Sequence, residues 1–283
     1  MALLLPVSPG CHATTVNSVR DITFSADDFG LTQAVNEAVE RANREGCLTQ
    51  ASLMVAAPAA ADAVRRAKML PDLKVGLHLV LVDGDSLLGH AKLPHITSPD
   101  GRFSTKQAAL GVKYFFSRIA RRELRAEIEA QFAAYAKTGL ALHHADAHKH
   151  FLLHPTIARM LIEVGRQYGL KRLRIPAEPP SIMARLGEKI SFGDRALYGW
   201  TRLLRFQARG LELPDQVFGL KWSGHMTPER MARLLQLVPP GRTEIYTHPA
   251  TRRDATLVKL MPDYEHVAEF EALLKTKAEK RSL

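Results

Sequence analysis

The residues with the clearest chemical potential are two adjacent carboxylates, Asp27 and Asp28, within the stretch SADDFG at residues 25–30. Residues 22–26 alternate like a strand, and residues 32–44 have the periodicity of an amphipathic helix. In an α/β protein this strand-to-helix junction is the carboxyl edge of the sheet, where active sites are built. Neighbouring strand residues point to opposite faces, so one aspartate can bind a metal while the other stays free as a base. The alternative is that the pair only caps the helix.

A second cluster lies at residues 142–155, where LHHADAHKHFLLHP holds five of the twelve histidines. In a strand, alternate residues share one face. Four polar residues would then lie in one row: His144, Asp146, His148 and His150. A polar row of this kind would make a poor hydrophobic core. We therefore predict a metal-binding or catalytic role for this stretch.

Two further histidines lie on strand-like stretches. His78 lies within residues 74–81, and His248 ends the last apolar run at residues 244–249. One carboxylate with two imidazoles is a common open site for a divalent metal, because it leaves positions for water and substrate.

Seven strand-like stretches would position these residues. They are residues 22–26, 50–55, 74–81, 140–150, 171–176, 216–220 and 244–249. Helical stretches alternate with most of them, at residues 32–44, 59–70, 105–137, 155–168, 228–237 and 264–277. Such alternation favours a parallel sheet. We expect an α/β fold, an irregular (β/α) TIM-like barrel with about seven parallel strands.

Composition sets the class of protein. With 283 residues and 46% hydrophobic residues, the chain can form one domain, which we place at residues 21–283 after an extended segment at 1–20. No apolar run is long enough to span a bilayer, and no signal peptide is evident. Cys11 and Cys47 form no metal or disulfide pattern. We therefore expect a cytoplasmic protein.

The net charge of +10 indicates an anionic partner, either nucleic acid or a membrane surface. No RNA-binding motif or helix-turn-helix is evident, so we expect no nucleic-acid partner. The basic segment 177–215 places Leu197, Trp200 and Leu204 on one helical face, a pattern that suits peripheral contact with the inner membrane face. The alternative is an ordinary surface helix whose Trp faces the core.

Four motifs together resemble the YdjC/ChbG family of carbohydrate deacetylases, and within it the hopanoid-biosynthesis members. They are ADDFG at 26–30, GLHL at 76–79, HADAHKH at 144–150 and YTHPA at 246–250. The resemblance implies a deformed (β/α) barrel that uses one divalent metal ion, such as Mg²⁺ or Zn²⁺, to remove the acetyl group from an N-acetylated sugar.

By position in the motifs, the resemblance implies that Asp28, His78 and His148 bind the metal and that Asp27 is the general base. His248 resembles the histidine that protonates the leaving amine. Four further residues are candidates for substrate contacts or for supporting the metal ligands: Asp146, His150, His144 and Arg174.

The resemblance also implies a lipid-linked substrate, an N-acetylglucosaminyl hopanoid. A soluble chito-oligosaccharide is the first alternative. A non-haem iron oxygenase is a more distant alternative. It is considered because His144 and Asp146 match the His-x-Asp motif of such enzymes. The oligomeric state is left open, with a homodimer as one case.

Overall fold

The structure, a computed structural model, describes residues 20–281, with the side chains of residues 20–276. The expected N-terminal segment 1–20, apart from Arg20, and Cys11 lie outside the described residues.

A six-stranded parallel sheet forms the centre of the described chain. The strands are β1 (Arg20–Phe29), β2 (Gln50–Leu53), β3 (Lys74–Leu79), β4 (Ala145–Ala147), β5 (Gln216–Phe218) and β6 (Gly241–Thr247). Their spatial order is β4-β3-β2-β1-β6-β5, so β1 is central. Because every pair is parallel, the carboxyl ends of all six strands lie at one edge, and polar residues there can meet.

Helices provide the crossovers that parallel strands require. They are α1 (Gln33–Arg44), α2 (Ala60–Ala67), α3 (Gln107–Phe116), α4 (Arg118–Lys137), α5 (Pro155–Gln167), α6 (Pro180–Arg185), α7 (Phe192–Gln207), α8 (Pro228–Leu237), α9 (Ala255–Leu260) and α10 (His266–Arg281). Buried apolar residues of the helices and the sheet form one continuous core. Within residues 20–281, none of the helices combines the length and the apolar character needed to cross a bilayer.

The α/β fold with a parallel sheet is confirmed, but the expected TIM-like barrel with about seven strands is not. The stretch predicted as a strand at 171–176 forms only isolated bridges, Ala145 with Leu173 and Arg172 with Glu212. Pro176 has no N–H to donate to a ladder, which explains why a regular strand does not form. The segment still reaches both edges of the sheet: Arg174 N–H donates to Ala145 O at 3.0 Å, and Val217 N–H donates to Ala177 O at 3.1 Å.

The histidine-rich stretch also differs from the prediction of one long strand. Only Ala145–Ala147 is a strand, and a short 3-10 segment, His148–Leu153, follows it. Lys149 and His150 have φ values of 51° and 53°, in the left-handed region. The chain therefore turns after His148, and the predicted row of four residues on one strand face does not exist.

The long helix predicted at 105–137 is two helices. The break falls at Ser117, whose extended backbone ends α3 and whose side chain accepts the N–H of Ala120 to cap α4. This is the usual role of serine at a helix N-terminus.

The basic segment 177–215 contains α6 and α7. The predicted membrane face of α7 packs against the protein: Leu204 is buried, and the Trp200 indole N–H donates to Leu153 O at 2.8 Å. Phe192, Leu203 and Phe206 are exposed instead. The alternative, a surface helix with an inward-facing Trp, describes α7 better.

Candidate active site

The end of β1 is distorted where the two aspartates lie. The pairing of β1 with β2 shifts between Ala26 and Phe29, which marks a β-bulge. Asp28 has φ 58° and Gly30 has φ 101°. Bulges of this kind re-aim side chains next to active sites. The directions of the Asp27 and Asp28 side chains therefore do not follow from the simple alternation of a regular strand.

The aspartates do not cap α1. That role belongs to Thr32, whose hydroxyl accepts the N–H of Val35 at 3.3 Å. Asp27 and Asp28 are instead both buried. Buried carboxylates are costly unless they are paired with positive charge or bind a metal, so the pair needs another explanation.

Asp28, His78 and His148 converge at the carboxyl edge of the sheet. Their potential ligand atoms lie within 4.8 Å of one another. Asp28 Oδ1 is 3.1 Å from His148 Nδ1 and 3.4 Å from His78 Nε2. Yet both Asp28 oxygens and His78 Nε2 are buried without a hydrogen-bond partner in the described residues. One carboxylate and two imidazoles with unused lone pairs fit a divalent cation.

Asp146 orients His78 toward this cluster. His78 Nδ1 is 2.6 Å from Asp146 Oδ1, which leaves Nε2 directed at Asp28. The Ser52 hydroxyl donates to the other Asp146 oxygen at 2.6 Å. Burial alone would lower the pKa of His78, but the charges of Asp146 and Asp27 raise it to about 10. The ring nitrogen thus lies where positive charge is favoured, and a metal ion would compete for that place with a proton.

Arg174 links three carboxylates beneath the cluster. Its Nη2 lies 2.7 Å from Asp27 Oδ2 and 2.6 Å from Asp146 Oδ2, and Nη1 donates to Glu244 at 3.3 Å. Its guanidinium also lies over the Tyr246 ring, 4.8 Å from the centroid. Burial opposes the charge of Arg174, but the carboxylates hold its pKa well above the usual value. Asp27 is thereby fixed through Oδ2, while Oδ1 is buried without a hydrogen-bond partner in the described chain.

His248 lies directly after β6 and also approaches Asp27. Its Nε2 is 4.0 Å from Asp27 Oδ2, and its Nδ1 is 3.7 Å from Glu269 Oε2 on α10. The main-chain N–H of His248 donates to the same Glu269 oxygen. Burial opposes protonation of the ring, but the Glu269 carboxylate raises the pKa of His248 above its usual value. A histidine held toward its protonated form suits a general acid.

His144 and His150 do not reach the cluster of Asp28, His78 and His148. His144 Nε2 contacts the Ser52 hydroxyl at 3.0 Å, and burial lowers the pKa of His144 to about 4. His150 Nε2 lies 2.8 Å from the Tyr246 hydroxyl, and burial together with the nearby Arg174 charge lowers its pKa to about 3. His144 and Asp146 therefore do not form the metal-facing pair of an iron oxygenase.

Several residues of this network were not predicted. They are Ser52, Glu244, Tyr246 and Glu269. Two patterns in the sequence could have indicated Ser52, Glu244 and Tyr246. Gln50 and Ser52 alternate within a buried strand, and Glu244 and Tyr246 precede His248 at a spacing of two. No sequence pattern indicates Glu269, because it lies on a helix distant in sequence from the strand that it supports.

The relatives with curated names match about half of the chain, as two of them illustrate. Over 147 residues, 52% of this chain, it is 37% identical to a carbohydrate deacetylase from Vibrio cholerae serotype O1 (strain M66-2), and the match covers 56% of that protein. Over 159 residues, it is 35% identical to a carbohydrate deacetylase from Brevibacillus brevis, covering 56% of this chain and 59% of that protein. The chain thus spans little more than half the length of these curated relatives.

A solved structure extends the likeness of the fold over the whole described chain. The candidate cellobiose-phosphate cleavage protein from Enterococcus faecalis V583 superposes with a TM-score of 0.71 at 21% identity. The superposition covers 93% of this chain and 95% of that one. The model of the YdjC-like protein family matches residues 21–281. The chain therefore belongs to the YdjC-like protein family.

Proposed function

We propose that this protein is a metal-dependent hydrolase that removes the N-acetyl group from an N-acetylated sugar. The observation that carries the proposal is the buried cluster of Asp28, His78 and His148 beside a second, separately anchored carboxylate, Asp27. The names of the curated relatives, carbohydrate deacetylases, agree with this chemistry.

In this proposal Asp28, His78 and His148 hold one divalent ion. Amide hydrolysis needs a nucleophile stronger than neutral water, and the ion, when bound, supplies Lewis acidity to a water and to the acetyl carbonyl. Asp146 fixes the ring orientation of His78, as carboxylates commonly do for metal-binding histidines.

Asp27 and His248 would transfer the protons. Asp27 accepts the proton of the attacking water at Oδ1, because Oδ2 is occupied by Arg174. His248, held toward its protonated form by Glu269, donates a proton to the leaving amine. The separation of 4.0 Å between His248 Nε2 and Asp27 Oδ2 supports a shared action of this acid and base on one amide.

The test is acetate release from an N-acetylglucosaminyl substrate. Treatment with a chelator should abolish release, and re-addition of a divalent ion should restore it. Full activity in chelator-treated protein that contains no metal by elemental analysis would contradict the proposal.

We propose further that the substrate is lipid-linked, with an N-acetylglucosaminyl hopanoid as the expected case. An apolar groove of about 580 Å³ supports an apolar aglycone, because it is lined by Val112, Phe115, Phe151 and Leu220 and also by His150, which contacts Tyr246 of the active site. Acetate should be released faster from the glycolipid than from chitobiose. A clear preference for chitobiose would favour the soluble chito-oligosaccharide alternative.

A further inference from the structure

The junction of α3 and α4 exposes an unusual group of large apolar side chains. We define the elbow face as Val112, Phe115, Phe116 and Ile119, all of which are exposed, Phe116 by 73% and Val112 by 61%. Phe115 and Phe116 contact each other edge to face, with ring centroids 5.0 Å apart. Exposed apolar patches of this kind usually mark an interaction surface.

The exposed side chains of the elbow face are not the ones by which α3 packs on the core, because α3 buries a different face. Leu110 and Tyr114 are buried, and the Tyr114 hydroxyl donates to Leu81 O at 3.1 Å. At its start α3 is tied to the active-site side of the fold, where Gln107 donates to Lys149 O at 3.0 Å. The elbow face is therefore held in a defined place.

The stretch of chain that carries the elbow face, residues 101–122, has charged side chains of only one sign. Between Asp100 and Glu123 the sequence has no acidic residue and six basic ones: Arg102, Lys106, Lys113, Arg118, Arg121 and Arg122. Arg102 pairs with Asp85. Lys106, Arg118, Arg121 and Arg122 form no ion pair with any side chain of residues 20–276. Four unneutralised cations beside four exposed apolar side chains complement an anionic, apolar partner.

We propose that the elbow face docks the protein on an anionic lipid bilayer. Aromatic and aliphatic side chains would enter the interface while the surrounding Lys and Arg residues contact anionic headgroups. A second copy of the chain is a poorer occupant, because a symmetric contact would bring the unpaired arginines of both copies together. The proposed docking does not depend on the proposed reaction.

The location gives docking a consequence for substrate access. The groove that contains His150 opens between α3 and the 3-10 segment, and Val112, Phe115 and Phe116 line it as well as the elbow face. A molecule leaving the bilayer at the elbow face would thus meet the rim of the candidate active site.

The test is co-sedimentation of the full-length protein with vesicles. We expect binding to vesicles of equal parts phosphatidylcholine and phosphatidylglycerol, weakened by salt, and little binding to phosphatidylcholine alone. Phe115→Ser/Phe116→Ser should weaken binding roughly ten- to a hundredfold, since each buried Phe contributes about one factor of ten. Arg118→Gln/Arg122→Gln should weaken it by about tenfold or more.

The matched control is Leu203→Ser/Phe206→Ser on α7, which also removes two exposed apolar side chains. This variant should bind vesicles like the wild type. Thermal melting of every variant checks that the fold is intact. If one elbow variant does not fold, the other still tests the proposal.

Three outcomes would overturn the proposal. They are equal binding to neutral and anionic vesicles, wild-type binding by both elbow variants, or loss of binding only in the α7 variant. A dimer by analytical ultracentrifugation that Phe115→Ser/Phe116→Ser converts to monomer, without any effect on vesicle binding, would assign the face to a second copy instead.

Discussion

Asp27 and Asp28 are adjacent in sequence, but their surroundings assign them different chemistry. Asp28 lies between two imidazoles and neither of its oxygens has a hydrogen-bond partner among the described residues, whereas Asp27 has one oxygen fixed by Arg174. Asp28→Asn should therefore lose metal and activity together. Asp27→Asn should keep the metal and lose roughly 10²- to 10⁴-fold in kcat, the usual contribution of general base catalysis. Elemental analysis beside acetate release separates the two variants.

The opposite result would be loss of the metal in Asp27→Asn and retention of the metal in Asp28→Asn. It would make Asp27 the metal ligand and Asp28 the base. His78→Ala serves as the control for metal loss, because its Nε2 lies in the same cluster as Asp28.

A second residue-scale prediction concerns Glu269, whose carboxylate raises the pKa of His248. Glu269→Gln keeps an acceptor for the His248 main-chain N–H but removes the charge. The pKa of His248 should fall, and since the acid must be protonated to act, activity should be lost at a lower pH as pH rises. The basic limb of the kcat–pH profile should move to lower pH, while metal content stays constant. An unmoved basic limb with reduced kcat would make Glu269 a purely structural partner.

The sequence predicts those candidate active-site residues that lie at or near the carboxyl ends of apolar strands, because a strand end has a recognisable pattern. Asp27, His78 and His248 are of this kind. Arg174 lies outside the four motifs and was predicted only as a candidate for substrate contact or for supporting the metal ligands, and its contacts with three carboxylates depend on an irregular segment. Glu269 was not predicted, because contacts between a distant helix and a strand end leave no local pattern.

At the scale of elements, the register in which neighbouring strands pair, rather than the length of each strand, determines which side chains meet in the candidate site. β3 and β4 pair His78 with Asp146, although β4 is only three residues long. The sequence predicted a longer strand because its alternation of polar residues continues through His150. Lys149 and His150 adopt left-handed φ values, which non-glycine residues rarely do, so local propensity could not reveal the turn.

The close packing of β3 against the histidine stretch gives an element-scale prediction. A Cβ added at Gly76 would lie 2.5 Å from the His144 ring, so Gly76→Ala must displace that ring. We expect a loss of about 1–3 kcal/mol in the free energy of unfolding, typical of overpacking, measured by urea denaturation. Activity should also fall, because His144 contacts the Ser52 that holds Asp146.

Gly199→Ala on α7 is the matched control, because a Cβ there meets no neighbouring atom of the described residues within 4 Å. It should be neutral or stabilising by up to about 1 kcal/mol, the helix preference of Ala over Gly. Equal destabilisation by both changes would show that Gly76 is not needed for close packing.

At the scale of the whole molecule, the alternation of strands and helices was enough to predict the class of fold but not the number of strands. Pro176 ends the stretch predicted as a strand at 171–176, and the segment around it bonds to β4 and β5 without pairing regularly. The sheet consequently keeps two edges, and Arg174 enters from this irregular segment to reach Asp27, Asp146 and Glu244.

The last prediction links the metal cluster to the stability of the whole fold. Its candidate ligands come from β1, from β3 and from the residue directly after β4, so an ion that binds only the folded chain should stabilise all three strands together. At a hundred times its dissociation constant, a ligand adds about 2.7 kcal/mol, which corresponds to roughly 5–10 °C in Tm for a protein of this size. Thermal melting with Zn²⁺ or Mg²⁺, after chelator treatment, should show this rise in the wild type and in Asp27→Asn but not in Asp28→Asn. Because melting does not depend on turnover, an equal rise in Asp28→Asn would show that the stabilising ion binds elsewhere, even if the protein proves to be a deacetylase.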